Sequence, residues 1–270
     1  MQWTPEAEAA IKKVPFFVRK RVRTRVETET KAAGNSIVSL DQVRACQARY
    51  LSRMDSEIKG FQIDTCFGAG GCPNRALDGE GLLGRLETLL ANADLLSFLR
   101  QTVDGPLKFH HEFRVTLADC PNACSQPQIK DIGIIGACSP RLTPIPCSAC
   151  GACAEACREE AIVLDPETSE PGIEWRRCLH CGQCVRACPT GTLAEGRRGY
   201  RVLLGGKLGR HPRLAKELPG LFDEAQVVEI VEACLALYKD RSRNGARFSE
   251  IINEQDVAAL SRHHRQPQED

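Results

Sequence analysis

The sequence predicts an α+β fold in three parts: an N-terminal three-helix unit, a mixed α/β module, and a cysteine-rich insertion that interrupts the module. Three observations predict it. Apolar residues recur at helical spacing through residues 3–54, and "LKFHHEFRVTL" at 107–117 alternates like a strand after an amphipathic helix at 81–101. Residues 139–198 are dominated by Cys, Pro and Gly. The expected boundaries are a helical domain at 1–56, the module at 57–138 and 199–262, the insertion at 139–198, and a disordered tail at 263–270.

In chain order, Thr4 is placed to cap a helix with Pro5 at its first position and Glu6 and Glu8 in its first turn. Pro15 breaks that pattern and restarts it. Phe17, Val18, Val22 and Val26 then share one helical face, opposite a basic face of Arg19, Lys20 and Arg23, and Gly34-Asn35 closes the helix. Ser39 and Gln42 form a capping box for a third helix through about Met54. In the module, the alternation puts Leu107, Phe109, His111, Phe113, Val115 and Leu117 on the apolar face, where His111 is expected to pack. "DIGIIG" at 131–136 and "YRVLLGG" at 200–206 read as further strands, and a helix follows near 223–239.

At 270 residues and 42% hydrophobic content, a packed core is expected. The net charge of +1 gives no global attraction to nucleic acid or an anionic membrane, and 5% aromatic content leaves few rings to stack on bases. No run approaches the roughly 20 apolar residues of a membrane span. The acidic, amphipathic start is unlike a signal peptide, so a cytoplasmic location is expected.

Most of the 15 cysteines fall into C-x2-C and C-x3-C groups, which favours metal ligation over disulfides. Cys147, Cys150, Cys153 and Cys157 repeat the spacing of Cys178, Cys181, Cys184 and Cys188. In such ferredoxin-like runs three thiolates wrap one cubane and the fourth cysteine reaches the other. Cys147, Cys150, Cys153 and Cys188 are therefore assigned to one 4Fe-4S cluster, and Cys178, Cys181, Cys184 and Cys157 to a second. A pair of zinc sites is the alternative, but those normally use two ligand pairs separated by a longer loop. Cys66, Cys72, Cys120 and Cys124 would make a third complete ligand set, with Gly68, Gly70 and Gly71 letting the backbone turn around inorganic sulfur. Cys46, Cys138 and Cys234 are read as core residues.

Cys66-x5-Cys72, some fifty residues, then Cys120-Pro-Asn-x-Cys124 resembles the signature of the siroheme-containing sulfite and nitrite reductases. The resemblance extends over "LKFHHEFRVTLADCPNACSQPQIKDIGIIG" and "GYRVLLGGKLGRHPRLAKEL", and an insertion between them is similar to the dissimilatory and anaerobic branches. It implies a siroheme reductase-like α/β module with an inserted two-cluster ferredoxin domain. It also implies that Cys66, Cys72, Cys120 and Cys124 ligate a 4Fe-4S cluster, with Cys124 bridging to the siroheme iron beside Asn122. Asp119 departs from the small residue expected before Cys120. "WTPEAEAAIKKVPFFVRKRVRTRVETETKAAG" resembles a short helical domain of light-independent protochlorophyllide reductase, while a generic helical cap with a solvated basic face stays open.

A polycarboxylate macrocycle needs cationic partners. Lys207 and Arg210, in "GGKLGRHPR", are the candidates, with an exposed basic turn as the alternative. Lys108, His110 and Arg114 share the polar face of the expected strand and are candidates for binding and protonating an anionic substrate, with a solvent-facing strand edge as the alternative. The implied activity is six-electron reduction of sulfite to sulfide, or of nitrite to ammonia, at siroheme bridged to one 4Fe-4S cluster and fed by two ferredoxin-type clusters. Alternatives are an electron-transfer subunit, or a reductase acting on a tetrapyrrole or another substrate. The implied partners are a low-potential donor, either ferredoxin or a redox subunit, and a second chain, identical or distinct, because only one module of the family's usual two is legible.

Overall fold

The computed structural model describes residues 1–263, apart from the side chains of Arg53, Met54, Ala69 and His263. Two compact units result: residues 1–58 with 103–110, and residues 59–102 with 111 onward. Residues 264–270, within the expected disordered tail, lie outside the described residues.

The first unit follows its capping signals. Strand β1 (Gln2–Trp3) precedes helix α1 (Pro5–Lys12), where the Thr4 hydroxyl accepts from Ala7 N–H at 3.3 Å. Helix α2 (Phe16–Ala32) restarts after Pro15. Strand β2 (Ile37–Val38) pairs in parallel with β1 and leads into α3 (Leu40–Glu57), where Ser39 N–H donates to Gln42 Oε1 at 2.8 Å. Ala7, Val26, Val38 and Cys46 form the core, so Cys46 is a core residue as expected. Phe17 is a correction: it stands exposed beside Phe16, outside the apolar face assigned to it.

The second unit is built on a five-stranded sheet in the order β3-β4-β5-β8-β9. Its strands β3 (Phe61–Thr65), β4 (Phe113–Ala118) and β5 (Ile132–Leu142) run parallel. Helices α4 (Glu80–Asn92) and α5 (Leu95–Thr102) lie between β3 and β4. Helix α6 (Ala152–Ala156), strands β6 (Ile162–Leu164) and β7 (Pro171–Ile173), and helix α7 (Gln183–Ala187) make up the insertion. Strand β8 (Leu193–Leu204) runs antiparallel to β5 and to β9 (Lys216–Glu217); α8 (Glu224–Arg241), α9 (Phe248–Ile251) and α10 (Glu254–His263) follow.

The sheet's two faces divide the labour. Phe113, Val115, Leu117, Ile132, Ile134, Val202 and Leu204 bury one face against Leu82, Leu86 and Leu90 of α4 and Val227, Ile230 and Val231 of α8. The other face carries the connection from β4 to β5. Parallel neighbours need a crossover of a dozen or more residues, and residues 119–131 supply it without an α-helix. The loop is held down by Thr116 Oγ1 donating to Ser125 O and Ser125 Oγ donating to Leu117 O. Gly133 leaves room for Pro127.

Three expectations change. The helix over 81–101 breaks in two at Asp94, whose φ is +48°. The strand expected over 107–117 begins at Phe113, because residues Phe109–His111 form a 3-10 turn. There the buried Glu112 carboxylate accepts from Lys59 N–H at 2.8 Å and Gln62 Nε2 at 2.6 Å. Strands β5 and β8 stay paired out to Leu142 and Leu193, so the insertion rides on a long antiparallel ribbon.

Candidate metal centre

Cys66 leaves the end of β3, its N–H donating to Leu117 O, and enters a 3-10 turn closed by Gly71 at φ +91°. Cys120 leaves the neighbouring end of β4, and Ala123 and Gln126 adopt positive φ to fold the crossover back. The two loops therefore meet because β3 and β4 are parallel and end together. Burial raises the Cys120 thiol pKa; the Asn122 N–H opposes this, and the nearby charges of Cys66, Cys72 and Cys124 raise it further. The four sulfurs of the expected set are thus brought together. Asp119 N–H donates to Cys66 Sγ at 3.3 Å and Asn122 Nδ2 to Cys124 Sγ at 3.1 Å. Such N–H···S bonds stabilise metal-bound thiolates and tune cluster potentials. Cys120 is buried while Cys124 is exposed.

The insertion folds as two matching halves. Ala149 and His180, each just before the second cysteine of its run, take positive φ, as do Gly151 and Gly182 before α6 and α7. Cys153 and Cys184 lie inside a small core with Ile162 and Leu193. Each fourth cysteine lies near the opposite run: Cys150 and Cys153 have Cys188 as a neighbour, Cys153 also has Cys147, and Cys184 has Cys181, Cys178 and Cys157. Burial and those neighbours push Cys184 up to about 12. At Cys188 burial opposes ionisation, but N–H donors from Leu193, Thr190 and Gly191 and the Thr190 hydroxyl bring the thiol down to about 7. Further N–H···S bonds run from Ala161 to Cys157 at 3.2 Å and from Ala149 to Cys147 at 3.4 Å. Among the described residues no three His, Cys, Asp or Glu side chains converge as a single-ion site does. A cubane binds its four thiolates at four separate irons, so it does not ask them to converge on one point.

Cys138 has a place that its sequence context does not reveal. It is a buried residue of β5, as expected, but its neighbours are Cys120 and Ala76 on one side and the Cys178–Cys181 loop on the other. Its N–H donates to His180 O at 2.7 Å, and a Cβ placed on Gly182 would lie 3.3 Å from its sulfur. The insertion is tied to the same corner by Gln183 Nε2 donating to Asn74 Oδ1 at 3.1 Å and Arg186 Nη1 donating to Arg75 O at 2.9 Å. A cleft lined by Asn74, Cys120, Asn122, Arg158, Leu179 and Cys181 opens there.

The cationic candidates separate. Lys108 and His110 precede β4, exposed, and belong to the first unit, whereas Arg114 is a half-buried strand residue of the second; they do not share one strand face. Half-buried His111 lies in the 3-10 turn, outside the core expected for it. In the glycine-rich loop, Gly205 and Gly206 do not free their N–H groups for a ligand. They donate to Asp131 O and Lys130 O, and Gly206 packs where any Cβ would meet Gln128 O at 2.5 Å. Lys207 pairs with Glu250 at 2.7 Å, and Arg210 is exposed. The loop thereby docks on the crossover four residues beyond Cys124, with Ala215 N–H donating to Gln128 O at 2.8 Å.

Comparison with known proteins adds an independent line. Residues 3–47 match the family model described as proto-chlorophyllide reductase 57 kD subunit. The coenzyme F420-dependent sulfite reductase of Methanocaldococcus jannaschii is 34% identical over 128 residues, covering 47% of this chain and 20% of that protein. One of the subunits of the anaerobic sulfite reductase of Salmonella typhimurium is 33% identical over 121 residues, 45% of this chain and 30% of that relative. The chain thus spans less than a third of either relative's length. The crystal structure of dissimilatory sulfite reductase I superposes over 86% of this chain and 60% of that one, with a TM-score of 0.50 and 15% identity, a likeness of fold. Residues 59–268, most of the sequence and all twelve grouped cysteines, match the nitrite and sulphite reductase 4Fe-4S domain model, and the chain belongs to that family.

Proposed function

We propose that this chain is the cofactor-bearing module of a sulfite reductase-type oxidoreductase, holding three 4Fe-4S clusters and siroheme and reducing sulfite to sulfide, or nitrite to ammonia. The observation that carries the reading is the gathering of twelve cysteines into three sets of four, each with N–H donors aimed at sulfur. Sulfite is favoured as substrate because both of these relatives are named for it.

Siroheme, when bound, supplies an iron centre where the anion is held and reduced. Cys124, exposed and accepting a hydrogen bond from Asn122, would be the cysteine that holds that iron. Phe67, 89% exposed beside Cys66, offers an apolar face to a macrocycle. Lys207 and Arg210 are proposed as partners of its carboxylates, and Arg114 as an anion-side cation; Lys108 and His110 keep that role as sequence-based candidates. We read the order of electron supply as from the Cys147 set to the Cys178 set, and past Cys138, which packs with Cys120 and bridges to Cys181, to the Cys66 set. A low-potential donor would feed the insertion, and a second chain would complete the open side of the site.

Protein produced anaerobically with siroheme available should carry about thirteen irons, show siroheme absorption, and form sulfide from sulfite with reduced viologen. Absence of siroheme bands, or only eight irons, would overturn the reading. A second reading, an electron-transfer subunit, is favoured by the short span of its relatives that the chain covers. Full cluster content without viologen-dependent sulfite or nitrite reduction would select it.

A further inference from the structure

We propose that the ion pair between Asp119 and Arg75 is a positioning and tuning device for the cluster assigned to Cys66, Cys72, Cys120 and Cys124. It holds the two cysteine loops in one frame and sets the local charge against which that cluster is reduced. The inference rests on the reading of those four cysteines as cluster ligands.

Asp119 is 4% exposed, an unusual place for a carboxylate unless it has a partner. Arg75, from the loop that carries Cys72, supplies one: its Nε lies 2.9 Å from Asp119 Oδ2, and its Nη2 lies 2.5 Å from Asp78. The backbone of Asp119 is used just as fully. Its N–H donates to Cys66 Sγ, while its carbonyl accepts from Ala76 at 2.9 Å and Leu77 at 3.1 Å. Three glycines make room for it. A Cβ on Gly68 would overlap the carboxylate, one on Gly79 would lie 2.7 Å from Oδ1, and one on Gly136 would lie 2.7 Å from the carbonyl. One residue thus joins the Cys66 arm, the Cys72 arm and the Cys120 arm, and it stands where a small residue is expected before Cys120.

A buried charge this near a cluster acts through low dielectric, where Coulomb terms are large. Adding an electron to the cluster adds negative charge, which Asp119 opposes and Arg75 favours. The Arg75 guanidinium lies directly against the carboxylate and opposes its charge, so the two act as a unit.

The test is an EPR-monitored redox titration of the holoprotein. Asp119→Asn keeps the size and the N–H···S bond but removes the negative charge, so the midpoint potential of the Cys66-set cluster should shift upward. The two insertion clusters should stay where they were. Adding Arg75→Gln to that variant should bring the potential back toward wild type. Where Asp119→Asn fails to hold the cluster, Arg75→Gln and Arg75→Lys decide: a downward shift in the first and none in the second supports the proposal. Full iron content with an unshifted potential in the charge-removing variants overturns the proposal alone. Unmodified protein with only eight irons overturns it together with the reading it rests on.

Discussion

The insertion and the β3–β4 corner hold cysteines by opposite strategies. In the insertion, two runs of four cysteines each carry their own turns, with positive-φ residues at matching places and short helices that need little from the rest of the chain. At the corner, Cys66 and Cys120 are separated by two helices and a strand, and they meet because two parallel strands end side by side. A local motif survives changes in its surroundings; an assembled one depends on everything that sets the register. Each region exposes one thiol, Cys124 at the corner and Cys150 in the insertion, and buries others, Cys120 at the corner and Cys153 and Cys184 in the insertion.

The largest effect should come from removing the ligand that distinguishes the two regions. Cys124→Ser should abolish viologen-linked sulfite reduction and siroheme retention, read in the visible spectrum. Cys147→Ser should remove about four irons and slow electron supply while siroheme stays bound. If both variants lose the same components, the division between the regions fails. Next in size, Gly68→Ala should cost about 1–3 kcal/mol in urea denaturation by overpacking against Asp119, and should deplete the corner cluster alone. The same change at Gly70, where a Cβ meets nothing within 4 Å, should leave stability and iron content unchanged.

Cys138 lies where the two regions touch, so it tests whether they communicate. Cys138→Ala should cost about 1 kcal/mol from lost packing. It should leave the iron count intact and slow reduction of the corner cluster relative to the insertion clusters in stopped-flow mixing with dithionite. Equal rates for all clusters would remove Cys138 from the path.

What is legible in the sequence follows the same division between local and assembled features. Thr4-Pro5, Ser39 with Gln42, and the two cysteine runs are local signals, and each is found where its residues put it. Strand β3 is not legible because "FQIDT" carries no clean alternation, and its place comes from pairing with β4. The start of β4 is misread because the alternation counts Glu112 as solvent-facing, whereas it is buried and bonded to Lys59 and Gln62, some fifty residues earlier. Asp119 stands out as a departure, but Arg75, which explains it, lies 44 positions away in the chain, and only the folded corner joins them.

The smallest predicted effect concerns the glycine-rich loop. Lys207 pairs with Glu250, and that hydrogen bond holds the Glu250 carboxyl below its ordinary value, with Arg247 contributing in the same direction. A lowered carboxyl pKa stabilises the fold above the unfolded value, and the contribution is lost as the pH falls through the lower folded value. Because Glu250 is half exposed, the pair is screened, and Lys207→Ala should cost no more than about 1 kcal/mol in urea denaturation at pH 7. The difference from wild type should shrink as the medium is acidified. If Lys207 turns to a siroheme carboxylate in the loaded protein, it must release Glu250, and the pH-dependent difference should then appear in cofactor-free protein and vanish in siroheme-loaded protein. The same difference in both forms would leave Lys207 as a strut between the loop and α9, and Arg210 as the cation of that loop available to the macrocycle.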